Sequence, residues 1–145
     1  MVEKTVNKDS FTEYTNHCVA TAKRLETRGN LEAAVVWRER AAKTYGFIDD
    51  KENQREQYLL IAGIRERIAT MNERRGGSTG WAAFQLEQAG EMYINLLDKE
   101  KAKGCYSKAI ELHRKVWSQN SGSFDVMRSN SLERLMRKVE EVGRL

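Results

Sequence analysis

The side chains that most often act as metal ligands or nucleophiles are scarce, with two histidines and two cysteines in 145 residues. His17 and Cys18 are adjacent, so on a helix they point about 100° apart and cannot hold one metal ion together. Cys105 and His113 lie two helical turns apart, which is too far for a shared ion. A nucleophile would also need a base and a third group that orients it. We therefore predict no metal site, no catalytic nucleophile and buried cysteines.

Two further patterns could suggest catalysis. Residues 76–80 contain three glycines, but a phosphate-binding loop needs Gly-Lys-Ser/Thr after a strand. The carboxylate pairs at 49–50 and 140–141 fall at a predicted helix cap and on an exposed helix face, without the apolar surroundings that acid catalysis needs. The sequence thus predicts a linker at 76–80, no cofactor and no enzymatic activity.

Aromatic and basic residues offer an interaction surface instead. Tryptophan, tyrosine and arginine supply much of the binding energy at protein interfaces. Trp37, Trp81 and Trp117 fall at or near helix positions where part of the ring can stay exposed. The surface that we predict to bind a partner is lined by Trp37, Arg38, Arg40, Tyr93 and Tyr106. The predicted function is an adaptor, chaperone-like or regulatory module that binds a peptide segment or helix of another protein in a helical groove.

The composition favours a chain that is helical nearly throughout. It contains no proline, the residue that breaks helix interiors and punctuates loops. Hydrophobic residues make up 40% and charged residues 32%, which is too polar for a membrane protein and too apolar for a disordered one. There is no signal-peptide pattern or membrane-spanning apolar run, and no CxxC pair. We expect a cytoplasmic protein.

Apolar residues at helical spacing predict six helices, and no segment alternates as a strand would. The first covers about 10–28, with Gly29 closing it in the left-handed conformation and Asn30 capping the next. The other predicted helices are about 31–45, ending at Gly46; about 51–74, capped by Asp49 or Asp50; one from Trp81 to Leu96; one capped by Asp98 and reaching Trp117; and a C-terminal helix after a polar loop at 118–123.

The predicted halves, 1–75 and 81–145, contain an internal repeat. Residues 25–45 read LETRGNLEAAVVWRERAAKTY and residues 93–113 read YINLLDKEKAKGCYSKAIELH. Asn30 aligns with Asp98, so the offset is 68 residues, twice the period of about 34 residues in tetratricopeptide repeats. Each copy has a helix, a capped turn and a second helix with small residues where the pair must pack closely.

Residues 25–45 and 86–112 therefore resemble tetratricopeptide repeats. The second segment is the better match, through Gly90, Tyr93, Ala102, Tyr106 and Ala109. The repeat expected between them matches only at Gly63, and the proline that commonly ends the repeat is missing. The resemblance implies an all-α stack of about six helices in antiparallel hairpins, either tetratricopeptide-like or an unrelated helical bundle, with a groove that suits a peptide or a helix.

The first half has a second resemblance, to the ANR/PerC-type regulators of enteric bacteria. It rests on a Leu-Glu-x-x-Gly turn, an Ala-Ala-x-x-Trp helix and an Asn-x-Arg-Glu segment, within residues 14–66. The matching residues are Tyr14, Ala22, Leu25, Glu26, Gly29, Ala33, Ala34, Trp37, Ala41, Glu52, Asn53, Arg55, Glu56 and Tyr58. This resemblance implies control of transcription through another regulator. A microtubule-interacting-and-transport module would share the glycine turn.

The distribution of charged residues along the chain leaves alternative functions open. The formal net charge is +4, with mild basic excesses in residues 65–75 and 113–145. These segments fit a solvated basic face, or contact with nucleic acid, which is the less favoured choice. The alternative function is therefore a small transcriptional regulator that acts on DNA or on another regulator. The apolar stripes of the third and last predicted helices also leave a homodimer open.

Overall fold

Six α-helices make up the described part of the chain, which confirms the predicted all-α class. The structure, a computed structural model, describes the backbone of residues 2–119 and 126–145 and the side chains of residues 9–116 and 130–145. The helices are α1 (Val2–Thr27), α2 (Leu31–Phe47), α3 (Lys51–Arg74), α4 (Thr79–Asn95), α5 (Lys99–Gln119) and α6 (Val126–Arg144). Within these ranges there is no β-strand, and no helix has the length and apolarity needed to cross a membrane.

Several predicted helix ends need correction. α1 begins at Val2 rather than near residue 10, because no glycine or proline interrupts the residues before Ser10. Gly46 does not end α2, which continues to Phe47. The left-handed residue of that turn is Asp49, with a φ of 58°.

The predicted segments at 76–80 and 118–123 are also partly helical. α4 begins at Thr79, so the last two residues of the predicted linker belong to a helix. What remains is a short turn closed by main-chain hydrogen bonds. α5 reaches Gln119, so residues 118–119 of the predicted polar loop are helical. The remainder of that loop, residues 120–123, lies outside the described residues.

The four turns that join α1 through α5 share one hydrogen-bond pattern. A residue with positive φ donates its N–H to the carbonyl three residues earlier, and the next residue donates to the carbonyl five residues earlier, at 2.9–3.2 Å. This is the Schellman motif, which satisfies the carbonyls that a helix end leaves free. The left-handed residues are Gly29 (78°), Asp49 (58°), Gly76 (68°) and Leu97 (63°). Gly29 and Leu97 are 68 residues apart, so the two copies of the sequence repeat adopt the same helix–turn–helix form.

Side-chain caps follow these turns only in part. The carboxylates of Asp50 and Asp98 each accept a main-chain N–H three residues later, at 3.2 Å, which confirms both predicted caps. Asn30 occupies the N-cap position of α2 but makes no side-chain capping bond. The predicted capping role of Asn30 is therefore wrong, and only its main-chain carbonyl contributes, by accepting the first helical hydrogen bond.

The chain divides into two compact units, residues 1–64 and 65–145. The division falls inside α3 rather than at the glycines of residues 76–80. In the first unit α1 packs against α2, and in the second unit α4 packs against α5 and α5 against α6. Small residues fill both hairpins, and those that are fully or almost fully buried are Cys18, Ala22, Ala34, Ala41, Ala42, Ala82, Ala89, Ala102, Cys105 and Ala109.

Gly90 sets the closest approach in the second unit. A Cβ atom at this position would lie 2.7 Å from Cε1 of Tyr106, well inside van der Waals contact. The absence of a side chain on α4 thus makes room for the Tyr106 ring of α5, which is buried. The pairing of a glycine on α4 with a large ring on α5 thus has a steric reason in this chain.

We expect Gly90→Ala to destabilise the protein by about 1–3 kcal/mol, because the added methyl group overpacks the contact with Tyr106. Gly104→Ala is the matched control, since Gly104 is an exposed residue inside α5 and a methyl group added there would meet nothing within 4 Å. That control should stabilise the helix by up to about 1 kcal/mol. Chemical unfolding measures both, and equal effects of the two substitutions would contradict the close approach.

Leu97→Gly should stabilise the protein. Leu97 is 85% exposed and has a left-handed backbone that costs a leucine about 1–2 kcal/mol, more than the extra chain entropy of a glycine. The expected net gain is about 0.5–1 kcal/mol in the free energy of unfolding. Leu97→Ala removes the same exposed side chain but keeps the strain, so it should show little gain. A glycine variant no more stable than the alanine variant would refute the strained turn.

Candidate protein-binding surfaces

Three of the five residues predicted to line a partner surface lie inside their own units. Arg38 and Tyr93 are each 3% exposed and Tyr106 is 2% exposed. In this arrangement the three side chains are covered by their own units and are not presented at the surface, so their role in binding a partner stays a prediction. Trp37 is half-buried and Arg40 is exposed, so these two remain at the surface.

Arg38 joins three helices of the first unit. Its Nη2 donates to Oε2 of Glu26 on α1 at 2.6 Å, and its Nη1 donates to Oε1 of Gln57 on α3 at 3.0 Å. A buried guanidinium is tolerated only when it is paired and hydrogen-bonded in this way. Arg38 therefore positions the third helix against the first hairpin.

Tyr93 makes a comparable link in the second unit, although it does not align with Arg38 in the repeat. Its hydroxyl donates to Oε2 of Glu66 on α3 at 2.8 Å, and the thiol of Cys105 lies 3.4 Å from Oε1 of the same carboxylate. Burial, together with the Glu66 carboxylate, raises the pKa of the Tyr93 hydroxyl and raises that of the Cys105 thiol to about 12. The raised pKa keeps Cys105 in its thiol form, whereas the thiolate is the nucleophilic form of cysteine. Both cysteines are buried, as predicted.

Glu87 and Glu91 of α4 bind two basic residues of α6. Arg134 donates hydrogen bonds to both carboxylate oxygens of Glu87, from Nε to Oε1 at 3.0 Å and from Nη2 to Oε2 at 2.9 Å. Nζ of Lys138 lies 2.8 Å from Glu87 and 2.6 Å from Glu91. Nζ also lies 5.7 Å from the centre of the Tyr106 ring. This network fixes α6 to α4, in addition to the packing of α6 on α5.

The network shifts the pKa values of Glu87 and Lys138. Although burial works to raise the pKa of Glu87, hydrogen bonds from Arg134 and Lys138 outweigh it and hold the pKa below its usual value. Burial likewise works to lower the pKa of Lys138, but hydrogen bonds to Glu87 and Glu91 outweigh it and raise the pKa. Both ionised forms are therefore favoured by the folded state.

Sequence reasoning missed this network, although the sequence contains its signal. Glu87 and Glu91 are four residues apart on one predicted helix, and Arg134 and Lys138 are four apart on another. Residues at this spacing share one helix face. Two such faces with opposite charge predict pairing only once the helices are known to be neighbours, which the sequence does not reveal.

Trp37 has contacts that cover much of its ring. His17 meets it edge-on, with 5.7 Å between ring centres, and the guanidinium of Arg40 lies 4.5 Å from the ring centre. Trp37 and Arg40 thus form a cation–π pair at the surface of the first unit. His17 contacts this pair rather than acting together with Cys18.

Trp81 and Phe84 form an exposed pair at the start of α4. Their rings stack with centres 5.7 Å apart and planes at 21°, and the residues are 44% and 46% exposed. The side chain of Ser78 accepts the N–H of Trp81 at 3.2 Å, which fixes the first helical turn. The sequence singled out Trp81 but missed Phe84, whose spacing of three residues on a helix was the available signal. The Trp117 side chain lies outside the described residues.

The first unit exposes a second aromatic pair. Phe11 and Phe47 stack with ring centres 5.8 Å apart, and both are exposed. Tyr14, one helical turn beyond Phe11, is exposed as well. Among the side chains that the structure describes, no group of three or more histidine, cysteine or acidic residues could hold a metal ion.

Comparison with known proteins gives no assignment. No protein-family model, curated protein or solved structure matches the chain. The resemblances to tetratricopeptide repeats and to ANR/PerC-type regulators therefore stay predictions.

Glu87→Gln should reduce stability at neutral pH by about 1–3 kcal/mol, as expected for hydrogen bonds to a charged group. Because the pKa of Glu87 is lower in the folded state than the usual value of about 4.3, its stabilisation is complete above that value and is lost as the pH falls through the folded pKa. The gap between wild type and variant should thus narrow in acid. Thermal unfolding of both proteins from neutral pH into acid measures this.

Glu133→Gln, at an exposed position of α6, is the control for that series and should leave stability nearly unchanged at neutral pH. A gap between wild type and Glu87→Gln that stays constant into acid would contradict the proposed role of the carboxylate.

Proposed function

We infer that the chain is a non-enzymatic module that binds another protein, and that Trp81 and Phe84 form the centre of the contact surface. The observation that carries this proposal is the stacked pair of large aromatic rings, both nearly half exposed. Contiguous exposed apolar surface is typical of interaction sites. Tryptophan is also among the residues that contribute most to interface binding energy.

The rigid setting of the pair supports the same proposal. Ala82 and Ala83, between the two rings in sequence, are buried and anchor this turn of α4 in its unit. The Ser78 cap fixes the turn that precedes it. Side chains held on a rigid element lose less conformational entropy on binding, so each contact yields more affinity.

Trp37 and Arg40 provide a second candidate surface, in the first unit. Their cation–π contact leaves an amphipathic group at the surface, and both residue types are enriched in interface hot spots. Because His17 and Arg40 already contact the ring, less of it is available than at Trp81. We therefore rank this surface second.

The charge distribution supports a protein partner over DNA. Binding to DNA depends on cations that are free to neutralise phosphates. In the basic segment at 113–145, Arg134 and Lys138 are already paired with Glu87 and Glu91. In the segment at 65–75, Arg65 donates a hydrogen bond to Gln85. The ion pairs reduce the positive charge that the segment at 113–145 can offer to a nucleic acid. The bond to the neutral Gln85 leaves the charge of Arg65 unchanged but holds its guanidinium within its own unit.

The test is capture of proteins from an extract of the organism's own cells, with tagged full-length wild type and the Trp81→Ala/Phe84→Ala variant. Loss of one hot-spot side chain costs about 2 kcal/mol of binding free energy, or roughly thirtyfold in affinity. We expect at least one partner to be captured by the wild type and strongly depleted with the variant. Quantitative mass spectrometry measures the ratio.

Leu97→Ala is the matched control, because it also removes an exposed apolar side chain from the second unit. It should retain the partner. Since Trp81 and Phe84 are exposed, their replacement should leave the melting temperature close to that of the wild type. Partners recovered in equal amounts from all three proteins would overturn the proposed surface.

A further inference from the structure

The last helix binds its own unit as a basic amphipathic helix would bind a partner. Leu132, Leu135 and Val142 of α6 are buried. Arg134 and Lys138 extend from the same helix to the carboxylates of α4. Docking an apolar helix face with flanking charges is a common mode of peptide recognition.

The surface beneath α6 is complementary to that kind of helix. We call it the α6 seat, and define it by Glu87 and Glu91 on α4 and Tyr106 on α5. The two carboxylates are one helical turn apart, so they match cations with the same spacing. The Tyr106 ring lies below the ammonium group of Lys138, a position in which an aromatic ring attracts a cation.

α6 does not fill the seat completely. An open cleft of about 410 Å³ lies between α4, α5 and the C-terminal half of α6, and its lining includes Glu91, Tyr106, Lys138 and Val142. At this edge the seat offers surface that α6 leaves uncovered.

The contacts that hold α6 in place are also open to competition. Two of the four charged side chains in the network, Arg134 and Glu91, are 54% and 45% exposed, so solvent and salt screen their charges. Glu87 and Lys138 are more buried, with side chains 10% and 24% exposed. A helix bound through such contacts can be displaced by a competitor with the same charges and a better fit to the cleft.

We propose that the α6 seat binds a basic amphipathic helix of another protein, and that α6 covers the seat until that helix displaces it. The proposal rests on the proposed function only in that the occupant is a partner protein. The expected occupant has two cations one turn apart, with a leucine-sized residue directly after the first, as Leu135 follows Arg134. When α6 occupies the seat in most molecules, the apparent affinity for a competitor falls in proportion to the uncovered fraction.

The probe for this proposal is a fluorescent synthetic peptide with the sequence of residues 126–144, titrated against the full-length chain. Arg134→Ala/Lys138→Ala in the protein weakens the covering α6 but leaves the seat intact. We expect this variant to bind the peptide at least tenfold more tightly than the wild type, by fluorescence anisotropy. Further substitution with Glu87→Gln/Glu91→Gln should reverse the gain, and added salt should weaken binding.

Two controls test whether the variants stay folded and whether binding depends on the two cations of the peptide. Circular dichroism checks that each variant remains helical, and the single variant Arg134→Gln serves as a milder loosening if the double variant unfolds. A second peptide, in which alanine replaces both cations, should bind at least tenfold more weakly than the first.

Equal binding of the peptide by the wild type and the loosened variants would overturn the proposal. Binding that Glu87→Gln/Glu91→Gln does not weaken would overturn it as well. If light scattering shows that the loosened chain dimerises and excludes the peptide, the occupant is α6 of a second copy, and the proposal of a foreign helix fails. None of these results depends on Trp81 and Phe84, so failure here is distinguishable from failure of the proposed function.

Discussion

Alanine, glycine and cysteine fill the closest points of both helical hairpins, and this small-residue seam constrains everything else in the fold. It lets helices approach closely, as where Gly90 accepts the ring of Tyr106. Small side chains bury little apolar area, however, and a fully buried leucine contributes about 1.5–3 kcal/mol that an alanine cannot match. Each unit therefore supplements its hairpin with a third helical segment that is held in part by charged and polar contacts.

The two units use different versions of this arrangement. In the first, Arg38 of the hairpin reaches Glu26 and Gln57 from a buried position. In the second, Glu87 of the hairpin receives Arg134 and Lys138 from α6. The first cluster is enclosed and costly to break, whereas the second is partly open to solvent. This difference explains why displacement is proposed for α6 and not for the first cluster.

Much of the fold was predictable because its signals are local. Gly29 marks a left-handed turn in the sequence itself, and Asp50 and Asp98 are caps recognisable from residue type and position. Leu97 could not be found in that way, because leucine strongly disfavours the positive φ that its turn imposes. Asp49 tolerates positive φ better, but the sequence offered it only as a possible helix cap. Their conformation follows from the helices on either side.

The candidate surface was less predictable because burial depends on neighbours far apart in sequence. Tyr93 was expected at a surface, but Glu66 of α3 gives its hydroxyl a buried partner 27 residues away. Arg38 was also expected at a surface, but an ion pair with the carboxylate of Glu26 stabilises its guanidinium in the interior. For Trp81 the sequence indicated only that part of the ring could stay exposed, and in the structure the residue is 44% exposed.

Charge pairing between α4 and α6 helps to hold α6 on its hairpin, and a double-mutant cycle measures this pairing. Glu87→Gln and Arg134→Met are made singly and together in the full-length chain, and the free energy of unfolding is measured at low salt. We expect a coupling energy of about 1–2 kcal/mol that shrinks as salt is added. Effects of the two substitutions that add to within about 0.3 kcal/mol would contradict it.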